Sequence, residues 1–192
     1  MPSVRIFIVF IVIALIFSGD VVAKESDGIE SLSRVSLLAN HDYYKDLLKH
    51  IRGAKSEIFV AAYIFKTSPQ TGLPYKVMQE LILASQRGVR VEVLLERSDQ
   101  QDSLNSYNRE TALKLGKAGI KVCFDSPNKT THSKLVIIDG RYVFIGSHNI
   151  TPSGLKHNNE LSVLIDSPIL ANQTKKYWQK SCRQWHDART ER

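Results

Sequence analysis

The stretch Thr131–Asn149, THSKLVIIDGRYVFIGSHN, reads as two apolar strands folded about a tight turn. Lys134–Ile138 and Tyr142–Ile145 are the strands, and Asp139-Gly140 between them is a two-residue hairpin signal. Side chains two apart on a strand share a face. His132 and Lys134 therefore project together, and so do Ser147 and Asn149. Asp139 lies an odd number of positions from both His132 and Lys134, so an unbroken strand turns it to the opposite face. One imidazole, one fixed cation and two small hydrogen-bonding side chains at strand ends suit an anionic phosphate ester.

Outward from this hairpin, the chain alternates apolar runs with helical periodicity. Asn40–Ile51 places Tyr43, Tyr44, Leu47, Leu48 and Ile51 on one side of a helix, with Asn40 as its N-cap and Gly53 as its stop. Glu57–Phe65, EIFVAAYIF, is nearly all apolar, as a strand covered on both faces should be. The loop Lys66–Pro74, the helix Tyr75–Gln86 and the buried strand Val89–Leu95 follow. That strand–helix–strand unit implies parallel strands with a right-handed crossover. A polar loop, Glu96–Ser106, leads to a helix near Tyr107–Ala118 and a third strand, Ile120–Phe124. Beyond the hairpin come the loop Gly146–Asn158, the strand Leu161–Ile165 and a closing helix over about Pro168–Asp187. Its stripe of Leu170, Tyr177, Trp178, Ser181 or Cys182, and Trp185 reads as core packing rather than a base-stacking platform. The expected fold is α/β, a mixed and largely parallel sheet flanked by helices on both faces, with no internal repeat.

The chain has 192 residues, enough for one domain with a real core. Its formal charge of +7 favours polyanionic partners, either nucleic acid or an acidic membrane surface, and a merely solvated basic surface accounts for it equally well. Arg5 followed by the apolar run Ile6–Phe17 and the Val21-Val22-Ala23 junction makes residues 1–23 a secretory signal cut after Ala23, or else a retained membrane anchor. Residues 24–33 are a polar leader, 34–187 the folded domain and 188–192 a polar tail. The domain is thus expected in the periplasm or secreted. An oxidising compartment permits a Cys123–Cys182 disulfide, although two apolar fillers explain these cysteines as well. Without CxxC spacing they do not make a structural zinc site. The SDQQD segment with Asp99 and Asp102 lacks the oxygen density of a calcium or magnesium loop. No metal or cofactor is expected.

A phosphodiester repels nucleophiles with its own charge and gives a poor alkoxide leaving group. Without a metal, an enzyme must supply a nucleophile, positive charge for the phosphoryl oxygens and an acid for the leaving group. His132 can attack as neutral imidazole, Lys134 supplies a cation, and Ser147 and Asn149 can donate hydrogen bonds. His41, His50, His148, His157 and His186 have a more ordinary reading as exposed helix or loop positions.

His132-x-Lys134-x4-Asp139, followed by Gly146-Ser147-x-Asn149, resembles the HKD signature of the phospholipase D superfamily. The spacing onward to Glu160 resembles the small bacterial endonucleases of that superfamily, which carry one HKD copy per chain. The likeness runs from Arg34 to Trp185. It implies a phospholipase D-like fold and a covalent phosphohistidine at His132. By the same resemblance Lys134 and Asn149 hold the phosphate, Glu160 orients the histidine ring, and Asp139 is structural. It further implies a homodimer, in which two copies bring their His132 rings to one site. The leading expectation is a metal-independent endonuclease acting on DNA or RNA. The alternatives are a phospholipase D acting on membrane lipid such as cardiolipin or phosphatidylcholine, and a membrane-tethered nucleic-acid-binding module without turnover. The loops Lys66–Pro74 and Glu96–Ser106 are longer than the small nucleases need, which bears on substrate choice.

Overall fold

The computed structural model describes residues 33–98, 101–125 and 129–183. The expected signal segment 1–23, most of the leader 24–33, the tail 188–192, Trp185 and His186 lie outside the described residues. Among the described residues, no helix is long and apolar enough to cross a membrane.

In chain order the elements are β1 (Arg34–Ala39), α1 (His41–Gly53), β2 (Glu57–Ala62), α2 (Leu73–Gln86), β3 (Arg90–Leu95) and α3 (Asp102–Lys117). There follow β4 (Lys121–Phe124), β5 (Lys134–Ile138), β6 (Tyr142–Gly146), β7 (Leu161–Asp166) and α4 (Pro168–Arg183), with a π-helical turn, Ser153–His157, between β6 and β7. The strands form one sheet in the order β1-β7-β6-β5-β2-β3-β4.

The sheet is mixed, as expected, but mostly antiparallel rather than largely parallel. Only β2/β3 and β3/β4 are parallel; β1/β7, β7/β6, β6/β5 and β5/β2 run antiparallel. The crossover signal in the sequence covers β2, β3 and β4. After β4 the chain returns to the far side of β2, reverses through the Asp139-Gly140 hairpin, and meanders outward, which enforces antiparallel pairing. Asp139 and Gly140 both take left-handed backbone, φ 54° and 59°, as the tight turn demands. Ile138 pairs with Tyr142, so Arg141 is accommodated as one extra residue beside the expected two.

Helices cover both faces. The first face carries alternate residues Ile58, Val60, Val93, Val136 and Phe144 and packs beneath α1, α2 and α3. The other carries Phe59, Ala61, Leu135, Ile137 and Val143 beneath α4. Trp178 of α4 is 1% exposed and its indole N–H donates to the Val60 carbonyl at 2.7 Å, so its reading as core holds. Tyr177, from the same expected stripe, is 49% exposed and not part of the core. Cys123 of β4 and Cys182 of α4 form a disulfide that ties this helix to the sheet.

Four local expectations change. Strand β1, unassigned from sequence, pairs with β7 although only Leu38 in it is buried. Asn40 makes no side-chain cap; its amide oxygen instead accepts the Glu160 N–H at 2.9 Å. β2 ends at Ala62, and Phe65 leaves the sheet to bridge Ile150. Helix α3 begins at Asp102, inside the expected polar loop, because Leu104 buries and Asn105 bonds back to Ser98.

Candidate active site

The sequence-selected residues gather at one end of the sheet, where β2 finishes, β5 starts, β6 finishes and β7 starts. The register makes this explicit. Ala62 is opposite Lys134, Leu135 opposite Ile145, and Gly146 opposite Ser162. A side chain at Gly146 would lie 2.6 Å from the Leu161 carbonyl, so only glycine lets β6 and β7 close up where Ser147 and Glu160 meet.

His132 is exposed, and its ring meets the edge of Tyr63 with centroids 4.5 Å apart and planes at 64°. Lys134 is half-buried; its ammonium donates to the His132 carbonyl at 3.0 Å and lies 4.9 Å from the Tyr63 ring centre. Partial burial and then the Lys134 charge hold the His132 imidazole below its ordinary pKa, so it is neutral at pH 7. Burial likewise lowers the Lys134 ammonium, against the opposing pull of the Glu160 charge.

The Ser147 hydroxyl donates to the Glu160 carboxylate and accepts the Leu161 N–H at 3.0 Å. The other Glu160 oxygen accepts from the Asn158 amide at 2.9 Å. Within one chain, then, Glu160 is held by Ser147 and Asn158 and makes no hydrogen bond to His132. The ring-orienting role implied by the resemblance is not made inside the protomer. Asn149 stands differently: its side-chain oxygen is buried with no hydrogen-bond partner among the described residues. Its loop is stitched to the chain leaving β2, since Ile150 N–H donates to Ile64 O and Lys66 N–H to Ile150 O.

Asp139 is not in this cluster. The strand stops at Ile138, and Asp139 sits in the turn at the far end of β5. Its carboxylate accepts from the N–H groups of Lys55, Ser56 and Glu57 and from the Ser56 hydroxyl. Although burial opposes it, this set of donors holds the carboxyl below the usual range. Distance along the strand, not alternation of faces, keeps it from the site.

Sequence reasoning missed several neighbours. Tyr63, at the end of an apolar run, looked like core and instead walls His132. Asn40 and Asn158 support Glu160 from positions that read as a cap and a loop. His148, expected to be exposed, is 1% exposed; it stacks on Tyr43 at 4.2 Å and bonds Ser162 and the Asn40 carbonyl. His41 and His50 also bond carbonyls, those of Leu155 and Asp46, leaving His157 exposed. Among the described residues, no group of three or more His, Cys, Asp or Glu is placed to hold a metal ion.

A sheet end that gathers an imidazole, an ammonium and hydrogen-bonding side chains on adjacent strand ends suits phosphoryl handling. The family described as cardiolipin synthase, PLD-like domain, matches residues 47–182, and the chain belongs to it and so to the phospholipase D superfamily. Phospholipase D of Rickettsia prowazekii is 31% identical over 134 residues, 70% of this chain and 60% of that protein. Cardiolipin synthase B of Escherichia coli K12 is 27% identical over 125 residues, covering 65% of this chain and 28% of that one. Among solved structures, Nuc of Salmonella typhimurium, a phospholipase D family member, matches with TM-score 0.69 at 26% identity. It covers 81% of this chain and 98% of its own. NucT of Helicobacter pylori shares the fold at TM-score 0.64 and 22% identity, covering 81% and 99%. The chain thus spans about 60% of the curated phospholipase D relatives it matches.

Proposed function

We propose that this chain is a metal-independent phosphodiesterase, an endonuclease that cleaves DNA or RNA through a phosphohistidine. The observation that carries the reading is the exposed His132 with the Lys134 ammonium donating to its carbonyl at 3.0 Å, at the end of the sheet where Ser147, Asn149 and Glu160 also gather. The imidazole attacks phosphorus, the P–O bond to the leaving alkoxide breaks, and water later releases the phosphate from the ring. Lys134 and the Asn149 amide N–H hold the phosphoryl oxygens as charge builds on them, and Ser147 joins them when its hydroxyl turns from Glu160. The +7 charge suits a polyanion, and the coverage of nearly the whole of Nuc favours a nuclease-sized unit.

The leaving oxygen needs a proton, and a second copy of the chain supplies it in this reading. One face supports such a homodimer. Val35 and Leu37 of β1, Ile145 of β6, Leu161 of β7, and Ile169 and Tyr177 of α4 are all exposed. Through the β1/β7 and β6/β7 registers the four strand residues share the side of the sheet that α4 only partly covers. That apolar face runs into the site, since Ile145 leads to Ser147 and Leu161 follows Glu160. The Cys123–Cys182 disulfide supports placing the domain outside the cytoplasm, in the periplasm or secreted, after cleavage at Ala23 or on a retained anchor.

A lipid substrate is the second reading, favoured by the phospholipase D and cardiolipin synthase relatives. Plasmid, single-stranded DNA, RNA and liposomes of cardiolipin or phosphatidylcholine, assayed side by side in EDTA, separate the two. We expect nucleic acid to be cut without metal, less so as salt rises, and not at all by His132→Ala. Activity lost to chelator and restored by magnesium overturns the chemistry; hydrolysis of liposomes alone overturns the substrate.

A further inference from the structure

Two buried carboxylates adjoin the site and have no part in the chemistry above. Glu96 follows β3 and is 1% exposed; Asp125 follows β4 and is buried beside it. Backbone bonds carry the parallel pairing past the strand ends to both, Glu96 N–H to Ala62 O and Asp125 N–H to Leu95 O. Their side chains converge on one residue. The Glu96 carboxylate accepts the Thr131 N–H at 2.5 Å, and the Asp125 carboxylate accepts the Thr131 hydroxyl. Thr131 is itself buried and directly precedes His132. From the other side, the Asn108 amide of α3 donates to the carbonyls of both Glu96 and Tyr63, at 2.9 and 2.8 Å.

Burying a carboxylate is costly unless strong hydrogen bonds offset it. Charge-assisted bonds are roughly twice as strong as neutral ones. A pair of them on one threonine fixes backbone and side chain together. We infer that Glu96 and Asp125 are positioning residues for the nucleophile, a clamp on Thr131 that sets where His132 enters the site. The inference rests on His132 as nucleophile. A displacement of about 1 Å at a reacting group can cost roughly 100-fold in rate. Burial raises the Glu96 carboxyl above its usual range, opposed by the Thr131 N–H bond and helped by the Asp125 charge. Glutamine keeps the shape and an acceptor at this position. Its amide oxygen can accept the same N–H.

The test uses the full chain and bis(4-nitrophenyl) phosphate, a diester that commits to neither nucleic acid nor lipid. Glu96→Ala should lower kcat roughly 10- to 100-fold with KM within about twofold, and Glu96→Gln should recover most of the loss. Nitrogen-15 NMR of the histidines reads the same effect without turnover. In Glu96→Ala the His132 titration should move toward the ordinary value. A fully active His132→Ala would remove the underlying reading of the site. With His132→Ala inactive, a Glu96→Ala that keeps wild-type kcat and His132 titration overturns the clamp. So does an equal loss of kcat and melting temperature in the alanine and glutamine variants, which marks a purely structural carboxylate. If Glu96→Ala fails to fold, Thr131→Val removes the hydroxyl alone, and unchanged kcat there overturns the clamp.

Discussion

His132 packs edge-on against Tyr63, and the Lys134 ammonium donates to its carbonyl. Partial burial and the Lys134 charge lower its pKa below the ordinary 6.5 or so. The acid limb of kcat/KM should therefore have its midpoint below that value in the wild type, and Lys134→Met should raise the His132 titration toward it. A pH series of diester hydrolysis with histidine NMR checks both, and a wild-type limb above pH 7 contradicts the electrostatics. The sign for stability follows the same protons. His132 and His148 both bind them less readily folded than unfolded. As pH drops through the unfolded value the unfolded chain takes up more protons, so stability falls with pH in that window.

The hairpin β5–β6 could be read from sequence because its turn chemistry is local: two adjacent residues must tolerate left-handed backbone, and Asp-Gly does. What Asp139 does beyond the turn was not legible, because its partners, Lys55 to Glu57, lie some 80 positions earlier. Removing it should be a matter of stability, not rate. Asp139→Ala is expected to cost about 2–4 kcal/mol by urea unfolding, with kcat of the folded protein unchanged. A variant that folds as well as wild type but has lost turnover would place Asp139 in the chemistry after all. Other elements hid for related reasons. The start of α3 was masked by polar side chains that bond the backbone rather than face water, as Asn105 and Asn108 do. β1 is an edge strand with little buried surface, so it shows no alternation to read. Sheet direction depends on which distant strands pair, and only the β2–β4 crossover has a local signature. His132, Lys134, Ser147, Asn149 and Glu160 were legible as a set because their spacing is fixed. Tyr63 and Glu96 were not, since Tyr63 reads as part of the apolar run Glu57–Phe65 and Glu96 as the first residue of the polar loop that follows.

At the scale of the molecule, α4 leaves the β1, β7 and β6 side of its sheet face partly uncovered, and that side borders the site. Leu37 stands on it, on the edge strand β1, and is 67% exposed. Leu37→Glu introduces a charge where a second copy would bury it, and adds none to the interior of the protomer. Sedimentation should show wild-type dimers and Leu37→Glu monomers, with turnover reduced roughly 100-fold or more by loss of the partner's acid. A monomeric wild type with full activity would show that one chain suffices.

The bridge between Cys123 and Cys182 spans 59 positions, and His132, Lys134, Ser147, Asn149 and Glu160 all fall within that interval. The reactive groups thus belong to one covalent ring, with Tyr63 and Glu96 touching it from outside. A protease that nicks any single bond inside the ring leaves both ends attached, so oxidised protein cut there migrates as one piece until a thiol reagent parts it.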